Sequence, residues 1–499
     1  MESQTSNSDV GARNDQVVGR SRKIGLSVLA IISIALPAIA QNQSLTSFRD
    51  SFNGFDHIYY QHDGWLAAGA VPPQAGTPVN PNNYDLFQIA PTVPWAGDMN
   101  QLGGGCSGYP PATVGSLPTL GSPLAGFEGG SFGQSVLYVD NMMHVRVSQI
   151  NLHVVADLNN HLAYSDYQVC SNWDLTAHAK PPCPSSGTCL IIQNGTVPVS
   201  DGKSLAGFSD ERGGHAYYRS VDGHVHHLWW VWSDLTTISY VNWEDLTNVA
   251  GLKASLPCGV SAGTLTAFVD RRSNPSIELV YYVGTGGGVV APHLCELAWY
   301  QRREQSYDLT NMMVYTPPQP MMRSPLTGFV DAGGQHVFYL DTQHHVYQFL
   351  VGPGGLSNVD LTSKSGGNPA VADSLTSFSN AWGPQVFYVD SSLQVNQIDV
   401  NASVHRDLSA LSGGNITQTA STLATPCPSW GYISPGTPLS SIGLDDKGGG
   451  DVFYVGLDRH VWGLRSADGH SWSAIDLTNA YGGTTTFGAY YPCSYYIIG

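Results

Sequence analysis

The chain repeats one arrangement of apolar and polar positions seven times. Each copy opens on a short phrase: LTSF from Leu45, LAGF from Leu124 and again from Leu205, LTAF from Leu265, LTGF from Leu326, LTSF from Leu375 and LSSI from Leu439. A second phrase, apolar almost throughout, follows as HIYY from His57, VLYVD from Val136, HAYYRS from His215, LVYYVG from Leu279, HVFYLD from His336, QVFYVD from Gln385 and DVFYVG from Asp451. A valine then stands at one fixed distance beyond the tyrosine in Tyr138/Val145, Tyr218/Val225, Tyr339/Val346, Tyr388/Val395 and Tyr454/Val461. Constant spacing across turn formers such as Asp222-Gly223 and Asp341-Thr342 implies a hairpin of set length. Every copy closes on Asp-Leu, at Asp85, Asp174, Asp245, Asp308, Asp360, Asp407 and Asp476.

Short aromatic and β-branched segments separated by Gly, Pro, Asp and Ser read as four strands per copy. Inner phrases that do not alternate are those of strands covered on both faces. One such sheet cannot cover itself, so copies must stack and close into a ring, burying apolar area at roughly 25 cal/mol per Å². The expected fold is all-β: a seven-bladed β-propeller of four-stranded antiparallel blades with long disulfide-bearing inter-blade loops. Residues 41–499 would form this single domain. The first copy is the weakest match, because a long Pro/Asn-rich insertion follows Trp65 before Asp85, and whether it completes a blade stays open.

Composition adds a compartment. Arg20, Arg22 and Lys23 precede an apolar run from Ile24 to Leu36, then Pro37 and Ala38-Ile39-Ala40, which reads as a signal peptide spanning 1–40. The run is shorter than the roughly 18 to 20 residues needed to span a bilayer, so no membrane insertion is expected after cleavage. All eight cysteines follow that point, and an even number in an exported chain implies disulfides. Cys183 and Cys189 bracket PSSGT and read as a small loop disulfide. Cys106, Cys183, Cys258, Cys427 and Cys493 each follow an Asp-Leu closure, which places them in loops on one face. The protein is expected to be secreted, or periplasmic in a Gram-negative host. A net charge of −17 without a basic run excludes counterion-release binding to nucleic acid.

The repeat resembles the fungal and bacterial fucose-specific lectins, whose blades read as an apolar-Arg-apolar-Tyr-Tyr strand, a turn, an apolar-x-Glu strand and a Trp-bearing end. The resemblance implies sugar held between blades by that Arg and Glu and by an aromatic ring. Here the arginine position falls on His57, Ser135, His215, Leu279, His336, Gln385 and Asp451, and the glutamate position on Val147, His227, Glu296, Gln348, Gln397 and Gly463. Histidine and glutamine still hydrogen-bond hydroxyls, without the fixed fork of a guanidinium. The carbohydrate-binding residues implied are therefore His57, His215, His227, Glu296, His336, Gln348 and Gln397, with Trp173, Trp243 and Trp472 as stacking rings. Glycans or glycoconjugates are the expected partners, with either a sugar other than fucose or only a few working sites.

Other chemistry is weaker. His144, His224, His345 and His460 recur before the third-strand valine, at a turn where an imidazole satisfies backbone groups rather than a metal. Hard cations need several oxygens together, so the closing aspartates read as blade-end hydrogen bonders. No metal and no cofactor is implied. SADGHSW from Ser466 has the wrong spacing for a sialidase Asp box, and neither GxSxG nor HExxH occurs. No catalytic residue is assigned, so binding is expected rather than turnover. A propeller scaffold for protein–protein interaction and a propeller glycosidase or polysaccharide lyase are the alternatives.

Overall fold

The computed structural model describes residues 45–49, 56–62 and 65–71 and, with short interruptions, 122–179, 200–247, 261–313, 317–411 and 439–478. The chain divides into a unit Met1–Ala40, which lies outside the described residues, and a unit Gln41–Gly499. The rest concerns the second unit.

The Leu45 copy forms a three-stranded sheet of β1 (Leu45–Arg49), β2 (Asp56–His62) and β3 (Trp65–Val71). The Leu124 copy follows as β4 (Ala125–Glu128), β5 (Gln134–Val139), β6 (Val145–Asp157) and β7 (Leu162–Asp174), closed by the one-turn helix α1 (Leu175–His178). The Leu205 copy gives β8 (Ser200–Asp210), β9 (Gly213–Ser220), β10 (Val225–Trp232) and β11 (Ile238–Asp245). The Leu265 copy gives β12 (Ser261–Asp270), β13 (Ile277–Thr285), β14 (Pro292–Tyr300), β15 (Arg303–Asp308) and α2 (Leu309–Met312). Next come β16 (Thr327–Asp331), β17 (Gly334–Leu340), β18 (Val346–Gly352), β19 (Gly355–Asp360) and α3 (Leu361–Ser365). The Leu375 copy forms β20 (Ala370–Asn380), β21 (Gly383–Asp390), β22 (Val395–Asp399), β23 (Val404–Asp407) and α4 (Leu408–Leu411). The last is β24 (Leu439–Gly443), β25 (Gly450–Val455), β26 (Val461–Ser466) and β27 (Ser473–Asp476).

The expectation of seven four-stranded blades is thereby corrected: the fold is a six-bladed propeller, with six four-stranded antiparallel sheets. Among the described residues the Leu45 copy has three strands, and the sequence after Val71, with Pro72, Pro73, Pro78 and Pro81, is rich in a residue that cannot donate to a ladder. Asp85 and the long cysteine-bearing connections, with Cys106, Cys183, Cys189, Cys258, Cys427 and Cys493, lie outside the described residues. Cys295, on β14, is disulfide-bonded, and its partner is not among the residues whose side chains are described.

Opening strands pack side by side around the centre: β4 on β8, β8 on β12, β12 on β16, β16 on β20 and β20 on β24, with β1 between β24 and β4. The small polar residues of the opening phrases stitch this inner ring. Thr327 Oγ1 meets Ser377 Oγ at 3.0 Å, Thr376 Oγ1 meets Ser441 Oγ at 2.8 Å, and Ser47 Oγ meets Ser440 Oγ at 2.6 Å. The core lies in the seams rather than within blades. Leu137 of β5 packs with Ala216, Tyr218 and Trp230 of the next blade, and Tyr282 and Leu297 pack with Phe208 and Tyr217 of the blade before. Two-sided coverage explains the unbroken apolar phrases.

In the four-stranded blades the closing Asp-Leu-Thr, or Asp407-Leu408-Ser409 in one of them, latches the outer strands. The Asp360 side chain accepts from Ser363 N (2.8 Å), capping α3, and from His345 Nδ1 at 2.9 Å, while Thr362 Oγ1 accepts from Val346 N (2.8 Å). His144–Asp174, His224–Asp245, His293–Asp308 and His460–Asp476 repeat the imidazole pairing at 2.6 to 2.8 Å. The recurrent histidines and aspartates are thus blade-end hydrogen bonders of one another.

Candidate functional site

The ten residues singled out from the sequence sit mostly inside the seams. His57, His215, His227, Glu296, His336, Gln348, Gln397 and Trp472 are buried, whereas Trp173 and Trp243 are half-buried. Their polar atoms largely bond to each other or to their own blade. Gln348 Nε2 meets His336 Nδ1 at 2.7 Å, Gln397 Nε2 donates to Gln385 Oε1 at 2.9 Å, and His57 Nε2 meets Gln134 Nε2 at 3.0 Å. Trp243 Nε1 donates to His226 Nδ1 at 3.1 Å, Trp173 lies edge-on to His178, and Trp472 lies edge-on to Phe387. In three blades the two strand positions that correspond to the lectin Arg and Glu come together as an internal pair: His215 with His227, His336 with Gln348, and Gln385 with Gln397.

One seam concentrates charge. His215 and His227 (Nδ1 to Nε2, 3.0 Å) face Glu278 of the next blade, with His215 Nδ1 3.4 Å from Glu278 Oε2. Arg212 Nη2 reaches Glu278 Oε1 at 2.6 Å, and the Tyr217 hydroxyl donates to Oε2. Burial alone would lower the His215 pKa, but hydrogen bonds to Asp210 and Glu278 outweigh it and hold it at about 9. Burial alone would raise Glu278, yet the His215 hydrogen bond and charge bring it down to about 2. His227, with burial dominant, falls to about 3. The result is a neutral His227 beside a charged His215–Glu278 pair.

His215, His227 and Glu278 offer three ligand atoms within reach of one ion, as do Asp140, His144 and Asp174. In both clusters an arginine already holds a carboxylate, Arg212 on Glu278 and Arg146 on Asp140 and Asp174, so a cation would meet a guanidinium.

Glu296, at the position of the lectin glutamate, is raised to about 7 by burial, which its hydrogen bond to Tyr281 only partly offsets. Tyr281 OH donates to Gln335 Oε1 of the next blade at 2.8 Å, and Gln335 Nε2 donates to Asp270 Oδ2 at 3.1 Å.

The exposed chemistry lies elsewhere, on the turns between first and second strands. In four blades an Asx side chain accepts from the backbone N–H two residues on: Asp210 from Arg212 (2.7 Å), Asp270 from Arg272 (3.0 Å), Asp331 from Gly333 (2.7 Å) and Asn380 from Trp382 (3.0 Å). The presented side chain reaches over the seam. Arg272 is held bidentately by Asp270 (Nε 2.9 Å, Nη2 2.6 Å) and donates from Nη1 to the Asp331 carbonyl at 2.9 Å. Arg212 and Arg272 are each 38% exposed and Trp382 is 51% exposed. These residues are not among the family positions, yet the sequence marks their turns: Asp210, Asp270, Asp331 and Asn380 all stand at the same offset from the opening leucine.

No family model matches the chain, and no curated protein matches it. Solved structures do. A fungal lectin from Aleuria aurantia, described as a six-bladed β-propeller with a novel fucose recognition mode, is 13% identical over 71% of this chain and 94% of its own, with a TM-score of 0.39. The BP39L lectin from Burkholderia pseudomallei is 13% identical over 87% of this chain and 98% of its own, with a TM-score of 0.48. A mutant of AofleA from Arthrobotrys oligospora is 10% identical over 88% of each chain, with a TM-score of 0.41. This chain is similar to these lectin propellers in fold, and identities this low bear on the fold alone.

Proposed function

We propose that the protein is an exported, lectin-like carbohydrate-binding propeller whose weak sites repeat at the outer seams between blades. The observation that carries this reading is the repeated Asx turn, which sets a pre-oriented, partly exposed Arg212, Arg272 or Trp382 over three of the seams. A guanidinium whose partners already fix it, and an indole face open to water, are groups that meet sugar hydroxyls and the apolar C–H face of a pyranose respectively. Binding is favoured over turnover because the strongly shifted groups His215, His227 and Glu278 are sealed inside the seam. Export rests on the signal-like first forty residues.

Shallow sites of this kind bind weakly one at a time, at about −4 kcal/mol for a millimolar Kd, and gain strength on multivalent surfaces. Calorimetry with neutral and acidic saccharides, alongside a glycan array, tests the proposal. Micromolar to millimolar binding with a large gain on multivalent display is expected; no saccharide bound in either format overturns it.

A further inference from the structure

We propose that Trp382, at the seam between the β20–β23 and β24–β27 blades, is a stacking platform for a neutral pyranose residue. The proposal rests on the carbohydrate-binding reading above and assigns one site and one ligand class to it.

Trp382 is the most exposed tryptophan among the described residues, and it is held rather than loose. Its backbone N–H is fixed by Asn380 Oδ1 at 3.0 Å, its carbonyl accepts from Asn401 Nδ2 at 3.0 Å, and its Nε1 donates to the Asp468 carbonyl of the next blade at 3.2 Å. The neighbouring turn makes room for the ring. A methyl group built on Gly448 would fall 1.9 Å from the indole Nε1, and one on Gly469 would fall 3.4 Å from Cδ1. Both glycines have positive φ, +74° and +71°, a conformation that itself favours glycine. The indole therefore lies against bare backbone with its polar edge satisfied, while half its surface stays in water. Leaving a large ring so exposed forfeits its burial energy, and nothing in the seam demands tryptophan there: the same turn position holds Arg212, Arg272 or Gly333 in other blades.

The surroundings define the ligand. His470 sits beside the indole, ring centroids 5.4 Å apart, and accepts at Nδ1 from Arg406 Nη2 at 3.1 Å. Asp468, whose carboxylate accepts from Ser466, His470 and Ser471, and Asp399 add negative charge beside Arg406. This rim hydrogen-bonds hydroxyls in both directions and carries no net positive charge, so an uncharged ring fits and a carboxylated sugar meets repulsion.

The test uses full-length protein titrated with neutral methyl pyranosides and, separately, with methyl uronides, read by calorimetry and by the Trp382 indole N–H resonance of 15N-labelled protein. The expected result is neutral-glycoside binding that shifts that resonance, weakens about tenfold in Trp382→Ala and is largely restored in Trp382→Phe, with melting temperature little changed. Should Trp382→Ala not fold, the resonance shift in the wild type and the Trp382→Phe titration decide the matter. Wild-type binding that leaves the resonance and the variants unaffected overturns the platform while the broader carbohydrate reading stands. Tighter binding of uronides than of neutral glycosides overturns the ligand class. No saccharide bound by the wild type overturns both.

Discussion

His215 and Glu278 belong to adjacent blades, and they meet inside the seam with Nδ1 and Oε2 3.4 Å apart and only 2% of either side chain exposed. The pair is charged on both sides, because each group moves the other's pKa toward ionisation. Removing one partner strips the other of one of its two counter-charges, leaving His215 with Asp210 or Glu278 with Arg212. Glu278→Gln is expected to destabilise the protein by about 1–3 kcal/mol, the range for a lost hydrogen bond to a buried charged group, as read by urea unfolding. A loss under about 0.5 kcal/mol, the range of ordinary surface substitutions, would show that the pair is not holding the seam.

The His215 pKa is raised from 6.5 to about 9, so the folded state keeps a proton that the unfolded chain releases. Its contribution is complete below 6.5 and disappears as pH climbs through 9. Glu278 moves the opposite way, from 4.5 to about 2, and its contribution is lost as pH falls through that interval. Melting temperature is expected to decline on both flanks, and His215→Gln should flatten the alkaline one. An unchanged alkaline slope would refute the assignment.

Glu296 gives a third titration. Its folded pKa is about 7 against 4.5, so protonated Glu296 stabilises the fold below 4.5 and that benefit fades as pH rises through 7. Glu296→Gln keeps the donor and cannot ionise. It is expected to match the wild type at pH 4 and to melt higher at pH 8; a lower melting temperature at pH 8 would contradict the picture.

Asp360→Ala removes the α3 cap and the partner of His345 together. A loss of about 1–2 kcal/mol is expected from thermal unfolding, typical for a cap of this kind. Thr362→Val, which deletes only the acceptor for Val346 N, should also destabilise, because it leaves a buried donor unmatched.

Gly448→Ala crowds the indole it would touch and takes on an unfavourable positive φ. Displacement of Trp382 should appear as a shifted fluorescence maximum together with weaker saccharide binding. Retained binding with a displaced ring would separate Trp382 from recognition.

The repeat was legible from the opening leucines, the Tyr-to-Val spacing and the Asp-Leu closures, since each marks a fixed point of a blade. The blade count was not. The Leu45 copy shares the first two phrases, but its described residues form three strands, and the sequence after Val71 is rich in proline, which cannot donate to a ladder. The family positions fall on buried strand residues, and the sequence does not tell which groups face water: Gln348 bonds His336, and Gln397 donates to Gln385, across adjacent strands. Hydrogen bonds between cross-strand neighbours depend on register, which composition does not reveal. The Asx turns were readable in principle from the constant offset of Asp210, Asp270, Asp331 and Asn380, once those positions were aligned.

The sheet that carries β1 lies where the two ends of the ring meet. Among the described residues no strand from one end is woven into a sheet from the other. The junction is carried by the apolar cluster of Leu45, Ile58, Tyr60, Ile442 and Phe453, by Ser47 with Ser440, and by Arg465, which bridges Asp451 and Asp56 at 3.0 and 3.5 Å. Burial and the neighbouring Asp451 push the Asp56 pKa well up. A circle that its described residues fasten there by side chains has a clasp, and the amides at that clasp should be the first to trade hydrogen for deuterium when the propeller breathes.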